Sequence, residues 1–332
     1  MGGTTRDVVT ALGGWLAGAD EPEPIVVETS GSTGTPKRVV LSRRAVLASV
    51  AAAERRVGGS GPWLLALPAS YVAGVQVICR SLVAGHEPLL LEEHGSIAAG
   101  VEAGARFVSL VPTQLHRLLD DPPELDALRA CHTVLLGGGP IDPAMRARAE
   151  AAGVRVVATY GSAETAGGCV YDGYALDGVA LAIGSGGRVR VGGPTLFEGY
   201  DGDPALTAEV LVDGWFLTSD AGRLDEDGRL HVVGRVDDVV VSGGVNVPGP
   251  AVAARLREHP AIEQAEVVGV PDEEWGNRLV ASVVGPVSLE EARDWVAEAH
   301  PRSWAPRQVV VLDALPLLDN GKVDRMRLRA SA

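Results

Sequence analysis

A stretch of small hydroxylated residues near the amino terminus, ETSGSTGTPK at 28–37, has the composition of a phosphate-binding loop. Its hydroxyls and unobstructed backbone N–H groups can wrap phosphate oxygens, and Lys37 adds a positive charge. The spacing differs from the GxxxxGK[ST] pattern of P-loop NTPases, and Pro36 disfavours a helix that runs directly out of the glycines. A flexible Ser/Gly connector is the alternative. The position between an apolar strand and Ser42, a candidate helix N-cap, favours the phosphate loop. The residues expected to bind phosphate are Thr29, Ser30, Gly31, Ser32, Thr33 and Gly34.

Two segments in the middle of the chain combine a carboxylate and glycines in a way that suits a nucleotide. Glu164, within TYGSAET at 159–165, offers a hard oxygen ligand for a magnesium ion that bridges phosphates. An exposed turn carboxylate is the alternative. The segment LLGGGP at 135–140 has the pattern of a buried strand that ends in glycines, which would let a flat base lie against the backbone. A plain tight turn is equally compatible with this segment.

Lysine, histidine and cysteine positions narrow the chemistry further. Lys322 lies in the turn signal NGK, where a lone lysine is ordinarily a solvated charge. The seven histidines form no HxxxH pair and no catalytic triad, which argues against metal-hydrolase and serine-hydrolase chemistry. Cys79, Cys131 and Cys169 are odd in number and lie outside any CxxC motif. We therefore expect small core residues rather than a zinc site or a disulfide framework.

Composition and charge indicate a globular enzyme. The 332 residues are 46% hydrophobic, which is enough for at least one sizeable core, and the formal charge of −14 argues against general binding to nucleic acid or to a membrane surface. No apolar run reaches the roughly 18 residues that span a bilayer. The amino terminus, MGGTTRDVV, shows no basic segment that leads into an apolar one. A cytoplasmic enzyme is therefore expected.

The secondary structure elements that would position these residues follow from alternating β-rich and helical patterns in the sequence. This alternation predicts an α/β fold with a largely parallel sheet. The helical patterns include 43–56 and 144–152, and the predicted strands are 25–27, 63–67, 89–91, 107–111, 133–136 and 154–158. Between about 184 and 241, short strands punctuated by Gly and Asp indicate antiparallel hairpins.

A third pattern follows Pro248 and predicts a small α+β domain. Its predicted elements are helices at 251–258 and 289–299 and strands at 266–270, 279–284 and 308–312. We therefore predict a large N-terminal domain at 1–236, with a mostly parallel sheet and an antiparallel β-rich portion, and a C-terminal domain at 237–332.

In their order, the motifs resemble those of the adenylate-forming superfamily of acyl-CoA synthetases, adenylation domains and luciferases. TSGSTGTPK at 29–37 is similar to its phosphate loop, and TYGSAET to its adenine and magnesium motif. GWFLTSDAGRLDEDGRLHVVGRVDD at 214–238 is similar to its ribose and hinge motifs. VSGGVNVPG at 241–249 resembles the loop that meets coenzyme A, and LPLLDNGKVDR at 315–325 resembles the C-terminal lysine motif. The resemblance covers most of the chain.

The resemblance implies ATP, Mg²⁺ and coenzyme A as ligands, and it implies a role for each matching residue. The catalytic set would be Lys322, Glu164 and Lys37, with Glu164 as the metal ligand. Adenine and ribose would be bound by Gly137, Gly138, Gly139, Tyr160, Gly161, Asp220 and Arg235. Asp237 would be the hinge of a mobile C-terminal domain, and coenzyme A would meet Ser242, Gly243 and Gly244. A carboxylic acid would first be adenylated and then transferred to the pantetheine thiol after the domain turns.

Within the superfamily, three stretches resemble a family of acid–CoA ligases that act on o-succinylbenzoate in menaquinone biosynthesis. They are LPASYVAGVQVICRSLVAG at 67–85, FVSLVPTQLHRLL at 107–119 and TYGSAETAGGCVYDGYALDGV at 159–179. The expected acid-binding residues are Ser70, Tyr71, Gln76, Ser109, Thr113 and Ser162. Taken singly, a polar residue such as Gln76 is more often a helix cap or one half of a satisfied internal hydrogen bond.

The identity of the acid and of the acceptor stays open at this point. No histidine stands at Ser70 or Tyr71, where that family is expected to have one, and Ser162 stands where methionine is common. Another acid, or a carrier-protein thiol in place of free coenzyme A, is the alternative. A nucleotide-binding protein without catalysis is a third reading, which Lys37, Glu164 and Lys322 together disfavour. The region before the phosphate loop is short for the superfamily, which is compatible with a smaller pocket wall or with a homodimer that supplies part of it.

Overall fold

The structure is a computed structural model that describes residues 3–29, 36–236, 239–317 and 323–332. The chain divides into two compact units. The first comprises Met1–Ala182, Arg190–Leu217 and Asp225–Leu230, and the second comprises Ile183–Val189, Thr218–Leu224 and His231–Ala332. The predicted boundary between residues 236 and 237 stays a prediction, because residues 237 and 238 lie outside the described ranges.

Helices and strands alternate along the first half of the chain, as the sequence predicts. The helices are α1 (Thr5–Ala17), α2 (Arg43–Val57), α3 (Val72–Val83), α4 (Leu91–His94), α5 (Ile97–Glu102), α6 (Pro112–Leu118), α7 (Pro122–Ala130), α8 (Pro143–Ala151), α9 (Pro204–Val210), α10 (Gly249–Arg257), α11 (Leu289–Ala299) and α12 (Arg325–Ala330). The strands are β1 (Ile25–Glu28), β2 (Arg38–Leu41), β3 (Trp63–Leu65), β4 (Leu89–Leu90), β5 (Phe107–Leu110), β6 (Thr133–Leu136), β7 (Val156–Ser162), β8 (Gly167–Tyr171), β9 (Tyr174–Ala175), β10 (Ala180–Ile183), β11 (Arg188–Gly192), β12 (Gly199–Tyr200), β13 (Leu211–Val212), β14 (Trp215–Leu224), β15 (Leu230–Arg235), β16 (Val239–Ser242), β17 (Val245–Pro248), β18 (Gln264–Asp272), β19 (Gly276–Val284) and β20 (Gln308–Val311). Among the described residues, no helix is long and apolar enough to cross a membrane.

The first unit is organised around a seven-stranded sheet in the order β4-β3-β5-β6-β7-β8-β9. Strands β4 to β7 pair in parallel, whereas β8 and β9 extend the sheet in antiparallel fashion. The carboxyl ends of β3, β5 and β6 therefore meet at one edge. In open α/β sheets, ligands bind outside this edge.

Strands β3, β5 and β6 of this sheet are buried on both faces, which is why they are continuous apolar runs in the sequence. Phe107 of β5 and Leu135 of β6 enter one hydrophobic cluster, while Val108 and Val134 enter a second cluster. Trp63 stacks on Phe107 with ring centroids 4.9 Å apart. The predicted burial of the three cysteines is confirmed.

A smaller antiparallel sheet, β1-β2-β12, lies in the same unit. Glu28 pairs with Arg38, so residues 29–37 connect the two strands of a hairpin. Ser42 then caps α2, since its hydroxyl accepts a hydrogen bond from the Ala45 N–H at 3.4 Å, which confirms the predicted N-cap. Strand β12 adds to β2 and places Tyr200 opposite Val39.

The second unit contains the sheet β18-β19-β20 and the hairpin β16-β17. Strands β18 and β19 are antiparallel, and β20 joins β19 in parallel. Their inward residues form a hydrophobic cluster with α10 and α11, to which Val252, Leu256 and Val296 contribute. The predicted α+β composition of this region is thus confirmed.

Candidate active site

A cavity of about 460 Å³ lies in the first unit, at the carboxyl edge of the large sheet. Strands β3, β5 and β6 end at its wall, and α3 contributes one face. It is lined by Ala66, Leu67, Pro68, Tyr71, Val72, Ala73, Gln76, Arg80, Ser109, Leu110, Val111, Gln114, Leu135, Gly137, Gly138, Thr159, Gly161, Ser162, Gly167, Gly168 and Tyr171. Four of the predicted acid-binding residues are in this set: Tyr71, Gln76, Ser109 and Ser162. Ser70 and Thr113 are exposed and do not line the cavity.

Several buried polar atoms of the cavity wall have no hydrogen-bond partner among the residues that the structure describes. Both amide atoms of Gln76, the Nε of Arg80 and the hydroxyl of Ser162 are in this state. Gln76 is only 1% exposed, and because neither amide atom has a partner among the described residues, it is neither a helix cap nor one half of a hydrogen bond there. Burying such groups without partners costs roughly 1 to 3 kcal/mol each. The wall is therefore suited to a ligand that carries several polar groups.

Arg80 is a buried cation in this wall, and inspection of the residues alone did not identify it as functional. Its guanidinium donates a hydrogen bond to the Tyr171 hydroxyl at 3.1 Å and lies 5.1 Å from the centroid of the Trp63 ring. No carboxylate in the described part of the chain forms an ion pair with it. Its sequence context could have identified it, because Arg80 is the single charge in the otherwise uncharged helix VAGVQVICRSLV. An arginine is almost never fully buried unless it is paired, so such a position suggests a ligand.

The glycines at the end of β6 and in β7 allow close packing of the backbone. A Cβ at Gly137 would lie 2.2 Å from the Thr159 hydroxyl, and one at Gly161 would lie 2.1 Å from the Gly167 carbonyl oxygen. Gly138 has a φ of +80°, which side chains other than glycine seldom adopt. All three line the cavity, whereas Gly139 and Tyr160 do not. The predicted base-binding role of these residues stays a prediction.

Glu164 does not lie in an exposed turn. Tyr160, Gly161 and Ser162 continue strand β7 because they pair with β8, and Ala163–Thr165 then form a single 3₁₀ turn. Glu164 is only 7% exposed within that turn. Its Oε1 accepts a hydrogen bond from the Tyr200 hydroxyl at 2.8 Å. The alternative of a solvated surface carboxylate is therefore wrong.

The structure describes only the ends of the predicted phosphate loop. Outside the described residues lie Ser30, Gly31, Ser32, Thr33 and Gly34. The backbone N–H of Thr29 donates to the Lys37 carbonyl at 2.9 Å, and the Lys37 N–H donates to the Thr29 hydroxyl at 3.1 Å. These two bonds close the base of the loop. The Lys37 ammonium lies 5.2 Å from the centroid of the Tyr200 ring.

The donor set around Glu164 fits a magnesium ion that is shared with phosphates. No group of three or more His, Cys, Asp or Glu side chains that could enclose a metal occurs among the described residues. Glu164 also forms no ion pair within this part of the chain. Magnesium is usually bound by one or two carboxylates together with substrate phosphates and water. A single buried carboxylate such as Glu164 is consistent with that mode of binding.

The second unit carries the predicted ribose and coenzyme A residues. Asp220 lies within β14, and its N–H donates to the Thr218 hydroxyl at 3.0 Å. The guanidinium of Arg235, in β15, donates to the Ser219 hydroxyl at 2.6 Å. Asp237 and Lys322 lie outside the described residues.

The SGG sequence of the predicted coenzyme A loop forms the end of the β16-β17 hairpin. Ser242 pairs with Val245, so Gly243 and Gly244 are the two turn residues, with φ of +57° and +78°. Glycine is favoured at both positions of this two-residue turn because it adopts a positive φ without steric strain. The Gly243 N–H donates to the Trp275 carbonyl at 2.9 Å, and the buried Ser242 hydroxyl has no hydrogen-bond partner in the described part of the chain.

Comparisons with known proteins place the chain among adenylate-forming enzymes. Residues 25–189 match the family described as AMP-binding enzyme, and residues 251–322 match the AMP-binding enzyme C-terminal domain. A probable 2-succinylbenzoate–CoA ligase of Mycobacterium tuberculosis is 41% identical, over 93% of this chain and 84% of that protein.

Solved structures show the same likeness. The o-succinylbenzoate CoA synthetase of Bacillus subtilis, in complex with the acyl-adenylate intermediate OSB-AMP, matches with a TM-score of 0.79 and 27% identity, over 92% of this chain and 68% of that one. The amide bond synthetase McbA of Marinactinospora thermotolerans matches with a TM-score of 0.78 and 30% identity, over 92% of this chain and 69% of that one.

Proposed function

The chain belongs to the AMP-binding enzyme family, and we propose on that premise that it is an AMP-forming 2-succinylbenzoate–CoA ligase. It joins 2-succinylbenzoate to coenzyme A with the cleavage of ATP to AMP and pyrophosphate, a reaction of menaquinone biosynthesis. The acid is first adenylated, and the acyl group then passes to the thiol. ATP is the nucleotide substrate.

The buried cation in the cavity wall is the observation that carries the choice of acid. 2-Succinylbenzoate has two carboxylates and a ketone, so one carboxylate must be held while the other reacts. Arg80 is 3% exposed, has an unpartnered Nε and forms no ion pair among the described residues. Leaving a charge in a protein interior without a counter-ion costs several kcal/mol. A substrate carboxylate on Arg80 would offset that cost, and the free amide of Gln76 could donate to the ketone.

We assign the nucleotide to the residues around the phosphate loop. Lys37 would stabilise negative charge on the phosphates, and Gly137, Gly138 and Gly161 would lie against the base. Glu164 would hold Mg²⁺, which when bound neutralises phosphate charge. These assignments rest on the burial of Glu164, on the position of Lys37 at the base of the loop and on the glycine wall of the cavity.

The thiol transfer is assigned to the C-terminal part of the chain on the motifs alone. Lys322 would meet the carboxylate and α-phosphate during adenylation, and Asp237 would be the hinge about which this part turns. Ser242, Gly243 and Gly244 would then meet the pantetheine arm of coenzyme A. A homodimer and a cytoplasmic location remain predictions.

Product formation with and without coenzyme A tests this function. We expect 2-succinylbenzoate to elicit pyrophosphate release from ATP, and thioester to form only when coenzyme A is added. The measurement is pyrophosphate release and thioester yield for a panel of acids that includes benzoate and fatty acids. Equal turnover of benzoate would contradict the choice of acid. Adenylation of 2-succinylbenzoate without thioester formation would instead indicate another acceptor, such as a carrier-protein thiol or an amine.

Charge removal at the phosphate site should lower adenylation before coenzyme A enters. For Lys37→Ala and Glu164→Gln we expect single-turnover rates that are about tenfold to a hundredfold lower, since a charge-assisted contact is worth roughly 1.5 to 3 kcal/mol. Rates are measured by quenched flow with ATP and acid alone. Arg44→Ala is a matched control because this arginine is exposed and forms a long ion pair with Glu198, at 3.9 Å. Unchanged adenylation in both variants would remove the assignment.

A further inference from the structure

Tyr200 contacts both charged residues of the proposed phosphate site, although none of the motifs includes it. Its hydroxyl donates to Glu164 Oε1 at 2.8 Å, and the Lys37 ammonium lies 5.2 Å from the centroid of its ring. Tyr200 is 6% exposed and Glu164 is 7% exposed, so the hydrogen bond is shielded from water. One side chain therefore touches an anion with its hydroxyl and a cation with its ring.

The surrounding structure holds the tyrosine in one place. Strand β12 pairs Tyr200 with Val39, two residues after Lys37. The Tyr200 N–H donates to the Thr207 hydroxyl at 2.8 Å, and the Phe197 ring packs edge-on at a centroid distance of 5.0 Å. The Phe197 N–H also donates to the Glu164 carbonyl at 3.0 Å, so the segment that leads into Tyr200 is tied to the backbone of Glu164. The phenol is thus a fixed donor rather than a mobile surface group.

The Tyr200 hydroxyl contacts one oxygen of the Glu164 carboxylate, Oε1. A phenol that donates to one carboxylate oxygen leaves the other oxygen for a different partner.

Lys37 and Glu164 form no ion pair with each other, although both contact Tyr200, one at the ring and the other at the hydroxyl. A direct pair would neutralise the two charges and leave neither for phosphate or metal. From this geometry we propose that Tyr200 is a positioning residue, which keeps the Glu164 carboxylate and the Lys37 ammonium apart so that both can act on the phosphates of ATP. The inference rests on the proposed function.

The Tyr200→Phe variant tests this role, because it removes the hydroxyl and keeps the ring beside Lys37. We expect Mn²⁺, used as a spectroscopic substitute for Mg²⁺, to bind about tenfold more weakly to the enzyme with a non-hydrolysable ATP analogue, since the Glu164 carboxylate loses the donor that orients it. Binding is measured by electron paramagnetic resonance titration. Single-turnover adenylation should fall by a similar factor, whereas thioester formation from supplied acyl-adenylate should not change.

Tyr174→Phe is the matched control, since it removes the same hydroxyl from a tyrosine that is 42% exposed and lies 26 residues before Tyr200. It should leave metal affinity and adenylation as in the wild type. Wild-type metal affinity in Tyr200→Phe, together with wild-type adenylation, would overturn the proposal and leave Tyr200 as a packing residue. A loss of thermal stability with unchanged metal affinity would overturn it as well. The metal titration needs no acid, so a wrong choice of acid would leave this test intact.

Discussion

Replacement of Lys322 by alanine should lower adenylate formation by about two to three decades. A single donor that stabilises developing charge is worth roughly 3 to 4 kcal/mol in the transition state. If Lys322 acts only in the first half-reaction, the variant should still form thioester from supplied acyl-adenylate at the wild-type rate. Quenched-flow measurement of each half-reaction, with the adenylate made by the wild-type enzyme for the second, checks both statements.

Asp237→Pro should impair the second half-reaction, whereas Lys322→Ala should impair the first. Proline fixes φ at the proposed hinge, so it should favour one domain orientation, spare adenylation and slow transfer to coenzyme A. The two variants should therefore fail in different half-reactions. A loss of the same step to the same degree in both would place the hinge elsewhere, or would mean that the C-terminal part does not turn.

Replacement of Arg80 by methionine should lower kcat/KM for 2-succinylbenzoate by about thirtyfold or more. Truncation of one partner of a buried charge pair costs roughly 2 to 5 kcal/mol. The activity on a monocarboxylate analogue that the wild type accepts, such as 4-oxo-4-phenylbutanoate, should change little. Steady-state rates for the two acids measure the difference.

Protein stability separates substrate binding by Arg80 from a merely structural contribution. Arg80 has no direct ion pair among the described residues and only a longer-range attraction to the Glu54 carboxylate, so methionine should leave the free energy of unfolding unchanged within about 1 kcal/mol, or should raise it. Arg80→Lys should keep part of the discrimination, because the charge remains while the hydrogen bond to Tyr171 is lost. Equal losses on both acids, or a large loss of stability, would contradict the assignment of Arg80 to the second carboxylate.

Fold class and reaction class could be read from local sequence. The strands at Phe107–Leu110 and Thr133–Leu136 are apolar runs bounded by turn residues, and burial on both faces of a parallel sheet produces that pattern. The helix Thr5–Ala17 was not predicted, although Thr4 and Asp7 form a capping box at its start. Lys37 and Glu164 were found because their neighbours in the chain form recognisable motifs.

Only the tertiary structure decided which residues share a site. Tyr200 lies 36 residues after Glu164, and Tyr171 lies 91 residues after Arg80, yet each pair is joined by a hydrogen bond. The sequence predicts the same acid-binding role for Ser70 and Gln76. In the structure Ser70 is exposed, whereas Gln76 is buried and its amide has no partner among the described residues. The direction of a side chain and its burial depend on strands and helices that pack from distant parts of the chain. The spacing of residues in a motif predicts which of them lie close together within one segment. It does not predict contacts between distant segments, which form only when their strands pair in a sheet.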